Sequence, residues 1–215
     1  MSTLDLFTEA ESDVEVIARG AFLLRGFVAD TDATLLAEIV RISKVAPFRH
    51  MVTPAGYRMS AAMTNCGPAG WTTDCNGYRY ECVNPTTGNA WPPLPGLFSN
   101  TATRAAKKVG YKHFAPDACL INRYAPGARL SLHQDRDEAD LTAPIVSVSL
   151  GLSAIFLFGG PHRTDRPQRI SLQHGDVIVW GGPARLFYHG IAPLKDDFHP
   201  LTGRIRYNLT LRKAL

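Results

Sequence analysis

The sequence predicts a mainly β protein of α+β type, one domain built on a jelly-roll core. Three observations carry this. From residue 117 onward, short runs rich in β-branched and aromatic residues are punctuated by Gly, Pro, Asp and Asn. Eight such runs can be counted, "DACLINRY", "ARLSLH", "IVSVSLG", "AIFLFG", "RISLQ", "VIVW", "LFYHG" and "IRYNLTLR", and eight strands suit a jelly roll. Only two segments carry a helical signature, and neither a repeat nor a second domain interrupts the 215 residues.

The elements follow in chain order. Residues 1–47 hold a strand, "AFLLRGFV" (21–28), and a helix over "ATLLAEIVRISKVA", capped by Asp30 or Thr31 and ended by Pro47. Residues 48–94 show little periodicity but much Gly, Pro, Thr, Asn and aromatic content, including Trp71, Tyr78 and Tyr80. A connection that long in a compact domain predicts a lid or binding loop. Within 95–116 a second helix covers "LFSNTATRAAKKV" and stops at Gly110, and 117–212 form the jelly roll. The most apolar stretch, "PIVSVSLGLSAIFLFGG", is broken by Ser147, Ser149, Gly151 and Ser153, so it reads as two strands rather than a membrane span.

The first dozen residues are acidic and are expected to be disordered. They lack the basic start of a secretion signal, so cytoplasm is the default location. Residues 1–38 hold eight acids and two bases, a balance of −6, while the remaining 21 bases and 11 acids give +10. A basic body suits a polyanionic partner such as nucleic acid. The cysteines, at 66, 75, 82 and 119, form no C-x-x-C pair, which predicts reduced thiols rather than a zinc site. Nothing in the pattern calls for an oligomer, and a monomer is expected.

The chemistry begins at "LSLHQDRDE". His133 and Asp135, two apart on extended chain, project to one side, and "FYHG" offers His189 on a later strand. Two imidazoles and a carboxylate on one face of a metal leave the other positions open, the arrangement of non-haem Fe(II) oxygenases. At the C-terminus, "RIRYNLTLR" places Arg204, Arg206, Asn208, Thr210 and Arg212 on one face and Ile205, Tyr207, Leu209 and Leu211 on the other. A buried arginine needs an anion, and the strand supplies none, so a bound carboxylate is expected there. Each feature alone is also compatible with a blander reading: H-x-D with a surface turn, His189 with a hydrogen-bonded core histidine, the arginines with a solvated edge strand.

Together, "CLINRYAPGARLSLHQDRDE", "PIVSVSLGL", "HGDVIVWGG", "RLFYHGI" and "RYNLTLR" resemble the AlkB family of Fe(II)- and 2-oxoglutarate-dependent nucleic-acid dealkylases, from about Phe48 to Arg212. The resemblance implies a double-stranded β-helix, the jelly-roll variant of that family. It implies iron ligands at His133, Asp135 and His189, and 2-oxoglutarate contacts from Leu120, Asn122, Tyr124, Arg206, Asn208 and Arg212. The activity implied is DNA repair: oxidative demethylation of 1-methyladenine and 3-methylcytosine with O₂, releasing formaldehyde, succinate and CO₂. Trp71 matches the family's base-stacking tryptophan, with His133 on the opposite face, and Asp137 the carboxylate that faces the base. Met63 and Ser131 join them in the substrate pocket, and Thr53, Tyr57, Tyr78, Arg129 and Arg163 are the implied strand contacts. Alkylated single-stranded DNA is the expected partner, with duplex DNA and RNA as further ones. The match thins around "TTDCNGYRYECV". Two other readings stay open: a hydroxylase of a small molecule or protein on the same iron core, and a cupin-like metal-binding module.

Overall fold

The computed structural model describes residues 14–215; the acidic start and its expected disorder lie outside the described residues. Two helices and thirteen strands follow in the order β1 (Val14–Ala18), β2 (Ala21–Leu24), α1 (Asp32–Val45), β3 (Ala62–Cys66), β4 (Gly70–Asp74), β5 (Gly77–Glu81), α2 (Gly96–Lys108), β6 (Ala118–Tyr124), β7 (Leu130–His133), β8 (Ile145–Gly151), β9 (Ala154–Phe158), β10 (Gln168–Leu172), β11 (Val177–Trp180), β12 (His189–Ile191) and β13 (Arg206–Arg212). They form a seven-stranded sheet, β1-β2-β11-β8-β13-β6-β3, a four-stranded sheet, β10-β9-β12-β7, and the separate hairpin β4-β5. All eight strands expected after residue 117 are present, and the two larger sheets make the jelly roll.

The large sheet is buried on both faces, which is why β8 has no exposed residue. Val146, Val148, Leu209 and Leu211 face the helices and pack with Leu35, Ile39, Ile42, Phe98 and Ala102. The alternate residues turn toward the small sheet, where Ile145, Ile178 and Trp180 meet Phe156 and Phe158. The period of two therefore assigns Arg206, Asn208, Thr210 and Arg212 to the space between sheets. All four are buried.

Several local expectations change. The strand expected over 21–28 is β2 and stops at Leu24, because Gly26 turns the chain at φ +57° and its N–H is taken by the buried Asp176 carboxylate. Thr31 does flank α1, yet its hydroxyl donates back to the Val28 carbonyl instead of capping the helix. Residues 48–94 are more ordered than their composition suggests. β3 is wholly buried and so shows no alternation, and β4–β5 is a hairpin whose turn ends at Gly77, φ +111°. Among the described residues, no helix is long and apolar enough to cross a membrane.

Candidate active site

A cavity of about 670 Å³ opens between the two sheets, under the hairpin. Strand pairing places its central residues. β12 runs antiparallel to β7 with His189 opposite His133, so both rings leave the sheet on the same side, centroids 4.4 Å apart. Gly190 permits this approach: a Cβ there would sit 2.5 Å from the Leu130 carbonyl oxygen. Asp135, just past the end of β7, turns its carboxylate between the rings. Oδ1 lies 3.6 Å from His133 Nε2 and Oδ2 lies 3.6 Å from His189 Nε2.

The protonation pattern suits a metal. His133 Nδ1 hydrogen-bonds the Ser131 carbonyl at 2.9 Å, and His189 Nδ1 the Phe187 carbonyl at 3.0 Å. A carbonyl only accepts, so each Nδ1 carries a proton and each ring turns its Nε2, the nitrogen left to bind a metal, toward Asp135. Burial, then the neighbouring His189, lowers His133 to about 4, although a third of its side chain still meets the cavity. Burial opposes ionisation of Asp135, but the Arg212 guanidinium and the two imidazoles hold its carboxyl well below the usual range. One ligand atom from each residue lies within 4.8 Å of the others, and no other group of three qualifies among the described residues. Two lone-pair nitrogens and a carboxylate, with the cavity open beyond them, fit a first-row divalent metal that keeps positions free.

The arginines of β13 divide. Arg204 falls before the strand, on the surface, and donates to Asp196. Arg212 is answered inside the protein: Nη2 donates to Asp135 Oδ2 at 2.7 Å, Nε lies 3.3 Å from Glu138 Oε1, and Nη1 donates to the Tyr80 hydroxyl at 3.3 Å. The expectation that only a bound carboxylate could answer it is corrected, since anions reach it from a loop about 75 residues earlier in the chain. Arg206 is different. It is 0% exposed, its Nη2 donates to Ser149 Oγ at 3.0 Å, and its Nε and Nη1 have no hydrogen-bond partner among the described residues. Burial lowers it to about 10. Such a guanidinium fits a carboxylate of a small dicarboxylic acid.

Leu120, Asn122, Tyr124, Asn208 and Arg212 line the cavity; Arg206 lies behind the lining, its charge felt by the Tyr124 phenol, which burial pushes up to about 12. The Asn208 amide donates to Ser147 Oγ and the Val148 carbonyl, while its oxygen accepts from Asn122 and Thr210. Asn122 Oδ1 is buried without a hydrogen-bond partner among the described residues.

The other side of the cavity belongs to the hairpin. Trp71 stacks on Tyr78 with centroids 5.7 Å apart, and its indole N–H donates to Asp137 at 2.8 Å. Met63 and Ser131 line the same space, and Thr53, Tyr57, Arg129 and Arg163 stand in its wall. Sequence reasoning missed three residues here. Glu138 is 6% exposed, although "DRDE" reads as a solvated turn. Arg185 Nη2 donates to Glu138 at 3.0 Å, and the Tyr80 hydroxyl donates to it at 2.8 Å. Both partners are distant in sequence, and no local signal announces them.

Comparison with known proteins agrees with this geometry. The 2OG-Fe(II) oxygenase superfamily profile matches residues 20–212. The chain is 59% identical over 98% of both chains to the alpha-ketoglutarate-dependent dioxygenase AlkB of Escherichia coli K12. It is 40% identical over 95% of both to the AlkB homolog of Caulobacter vibrioides NA1000. The solved structure of OsALKBH1 superposes with a TM-score of 0.81 at 28% identity, covering 93% of this chain and 99% of that one. With its strand order, its two-histidine, one-carboxylate cluster and this level of identity, the chain belongs to the AlkB family of 2-oxoglutarate- and Fe(II)-dependent dioxygenases.

Proposed function

We propose that this enzyme removes methyl groups from 1-methyladenine and 3-methylcytosine in DNA, preferring single strands, as a monomer in the cytoplasm. The observation that carries the reading is that one cavity holds both the His133–Asp135–His189 cluster and the Trp71–Asp137 pair. When bound, Fe(II), 2-oxoglutarate and O₂ supply the oxidation, with succinate, CO₂ and formaldehyde as products. His133, Asp135 and His189 hold the metal. Arg206 answers one carboxylate of the cosubstrate, while Leu120, Asn122, Tyr124, Asn208 and Arg212 shape and polarise its seat.

The remaining residues handle the base. The alkylated atom lies on the pairing edge, so the base must leave the duplex, and methylation has already broken the pair. Trp71, backed by Tyr78, offers a rigid π-face to a cationic base, and the His133 ring closes the other side. Asp137, held by the indole N–H, presents negative charge toward that cation. Met63 and Ser131 fill the floor, while Thr53, Tyr57, Tyr78, Arg129 and Arg163 take the flanking phosphates.

The test is mass spectrometry of a single-stranded oligonucleotide carrying one 1-methyladenine, incubated with protein, Fe(II), 2-oxoglutarate and air. Methyl loss with succinate formation only in the complete mixture is the expected result. Succinate without methyl loss would move the substrate to a small molecule or protein. If neither product forms in the folded, metal-loaded protein, a metal-binding module is the better reading.

A further inference from the structure

We infer that Glu138 is a positioning residue for the metal ligand Asp135, and that the Tyr80 hydroxyl links the base-stacking hairpin to it. The inference rests on the metal-site reading above. Its starting point is the hairpin's attachment: among the described residues β4 and β5 ladder only with each other, and the Asn65 side chain on β3 ties the Trp71 backbone to the large sheet. Trp71 and Tyr80 are directly opposed in that pair, so both side chains leave one face. Both then land on a single loop. Trp71 donates to Asp137 and Tyr80 donates to Glu138, two and three residues past Asp135.

The connection continues inward. Glu138 Oε2 accepts from Arg185 Nη2 at 3.0 Å, and Arg185 Nη1 also donates to the backbone carbonyl of Asp135 at 2.6 Å. A third bond, from Arg185 Nε to the Ala143 carbonyl, fixes the guanidinium plane. Glu138 Oε1 lies 3.3 Å from Arg212, the same arginine that grips the Asp135 carboxylate. Asp135 is thus held at its backbone by Arg185 and at its side chain by Arg212, and Glu138 sits between both cations. Such outer partners orient metal ligands, and their loss commonly costs about 10–100-fold in affinity. Arg212 also donates to the Tyr80 hydroxyl, so one phenol touches both the carboxylate that spaces the arginines and the arginine that sets the ligand. A base seated on Trp71 bears on a two-stranded unit whose other strand ends at this network.

Binding linkage is reciprocal, so metal at Asp135 must steady the hairpin as much as the hairpin steadies the metal. Mn(II) titration of wild type, Tyr80→Phe and Glu138→Gln, with amide hydrogen exchange across residues 70–81, tests this without turnover. In wild type, Mn(II) should slow hairpin exchange at least threefold. Tyr80→Phe, which keeps the ring, should lose that metal dependence and bind Mn(II) roughly 3–10-fold more weakly. Glu138→Gln should weaken binding by more than tenfold, with the far-ultraviolet spectrum retained. Unchanged hairpin exchange on Mn(II) binding to wild type, or wild-type affinity in Tyr80→Phe, overturns the linkage and leaves the metal site standing. Failure of folded wild type to bind Mn(II) overturns the metal site and the linkage together.

Discussion

Arg206 and Arg212 lie six residues apart on one strand, point to the same side and are almost equally buried, yet they are opposites. Arg212 is surrounded by acceptors from its own chain, Asp135, Glu138 and Tyr80. Arg206 has a single neutral hydroxyl, from Ser149, and two buried nitrogens, Nε and Nη1, without a hydrogen-bond partner among the described residues. Burial lowers both, but its carboxylate neighbours raise Arg212 overall while Arg206 stays depressed. A saturated buried cation is part of the architecture, whereas an unsaturated one has hydrogen-bonding capacity left for an anion.

That contrast can be broken most forcefully at Arg212. Arg212→Ala strands Asp135 and Glu138 with Arg185 as the one remaining cation, and breaking a buried pair costs about 3–5 kcal/mol. Its melting temperature should drop by roughly 6–20 °C, at about 2–4 °C per kcal/mol, with metal retention impaired as well. Calorimetry of the metal-free protein checks this. A melting point equal to wild type would show that the internal ion pairs are not structural.

Arg206→Ala should behave the other way. It removes a charge without a counterion, so the empty fold should lose far less stability than in Arg212→Ala. The 2-oxoglutarate KM should rise about 10–100-fold, the equivalent of one charge-assisted hydrogen bond at about 1.5–3 kcal/mol. If saturation is unaltered while stability collapses, the roles of the two arginines have been exchanged.

Smaller effects sharpen the boundary between core and lid. Trp71→Ala removes the stacking face, at about 1–3 kcal/mol per base, and should raise the oligonucleotide KM by roughly 5–150-fold with 2-oxoglutarate saturation unaffected. An unchanged oligonucleotide KM would remove Trp71 from the binding site. Smallest is Asp32, whose carboxyl the His174 ring holds below its ordinary value. A depressed acid stabilises the fold above its unfolded pKa, and that contribution disappears as pH falls through the lower, folded value. Asp32→Asn should therefore lose about 0.2–1 kcal/mol near neutrality and nothing in strong acid. Urea melts at several pH values measure it; a constant difference at every pH would assign the loss to packing.

What was legible in the sequence follows the range of the interactions concerned. Alternation on β13 located the interior face because one strand suffices to express it. His133 and Asp135 were visible at spacing two, while His189 could be offered only as a candidate on a later strand, because its place beside them depends on the β7–β12 register. β3 escaped because burial on both faces erases alternation. Glu138 escaped for a deeper reason: its burial depends on Arg185 and Arg212, 47 and 74 positions later, and a charged turn looks solvated until those partners arrive. The same blindness made Arg212 seem as unanswered as Arg206.

The two unbonded nitrogens of Arg206 also bear on how long the protein survives. A ligand that fills them binds the folded chain and not the unfolded one, adding about 2.7 kcal/mol of stability at a hundred times its dissociation constant. On the function proposed above that ligand is 2-oxoglutarate, so the folded chain would be at its most durable when the cosubstrate is abundant.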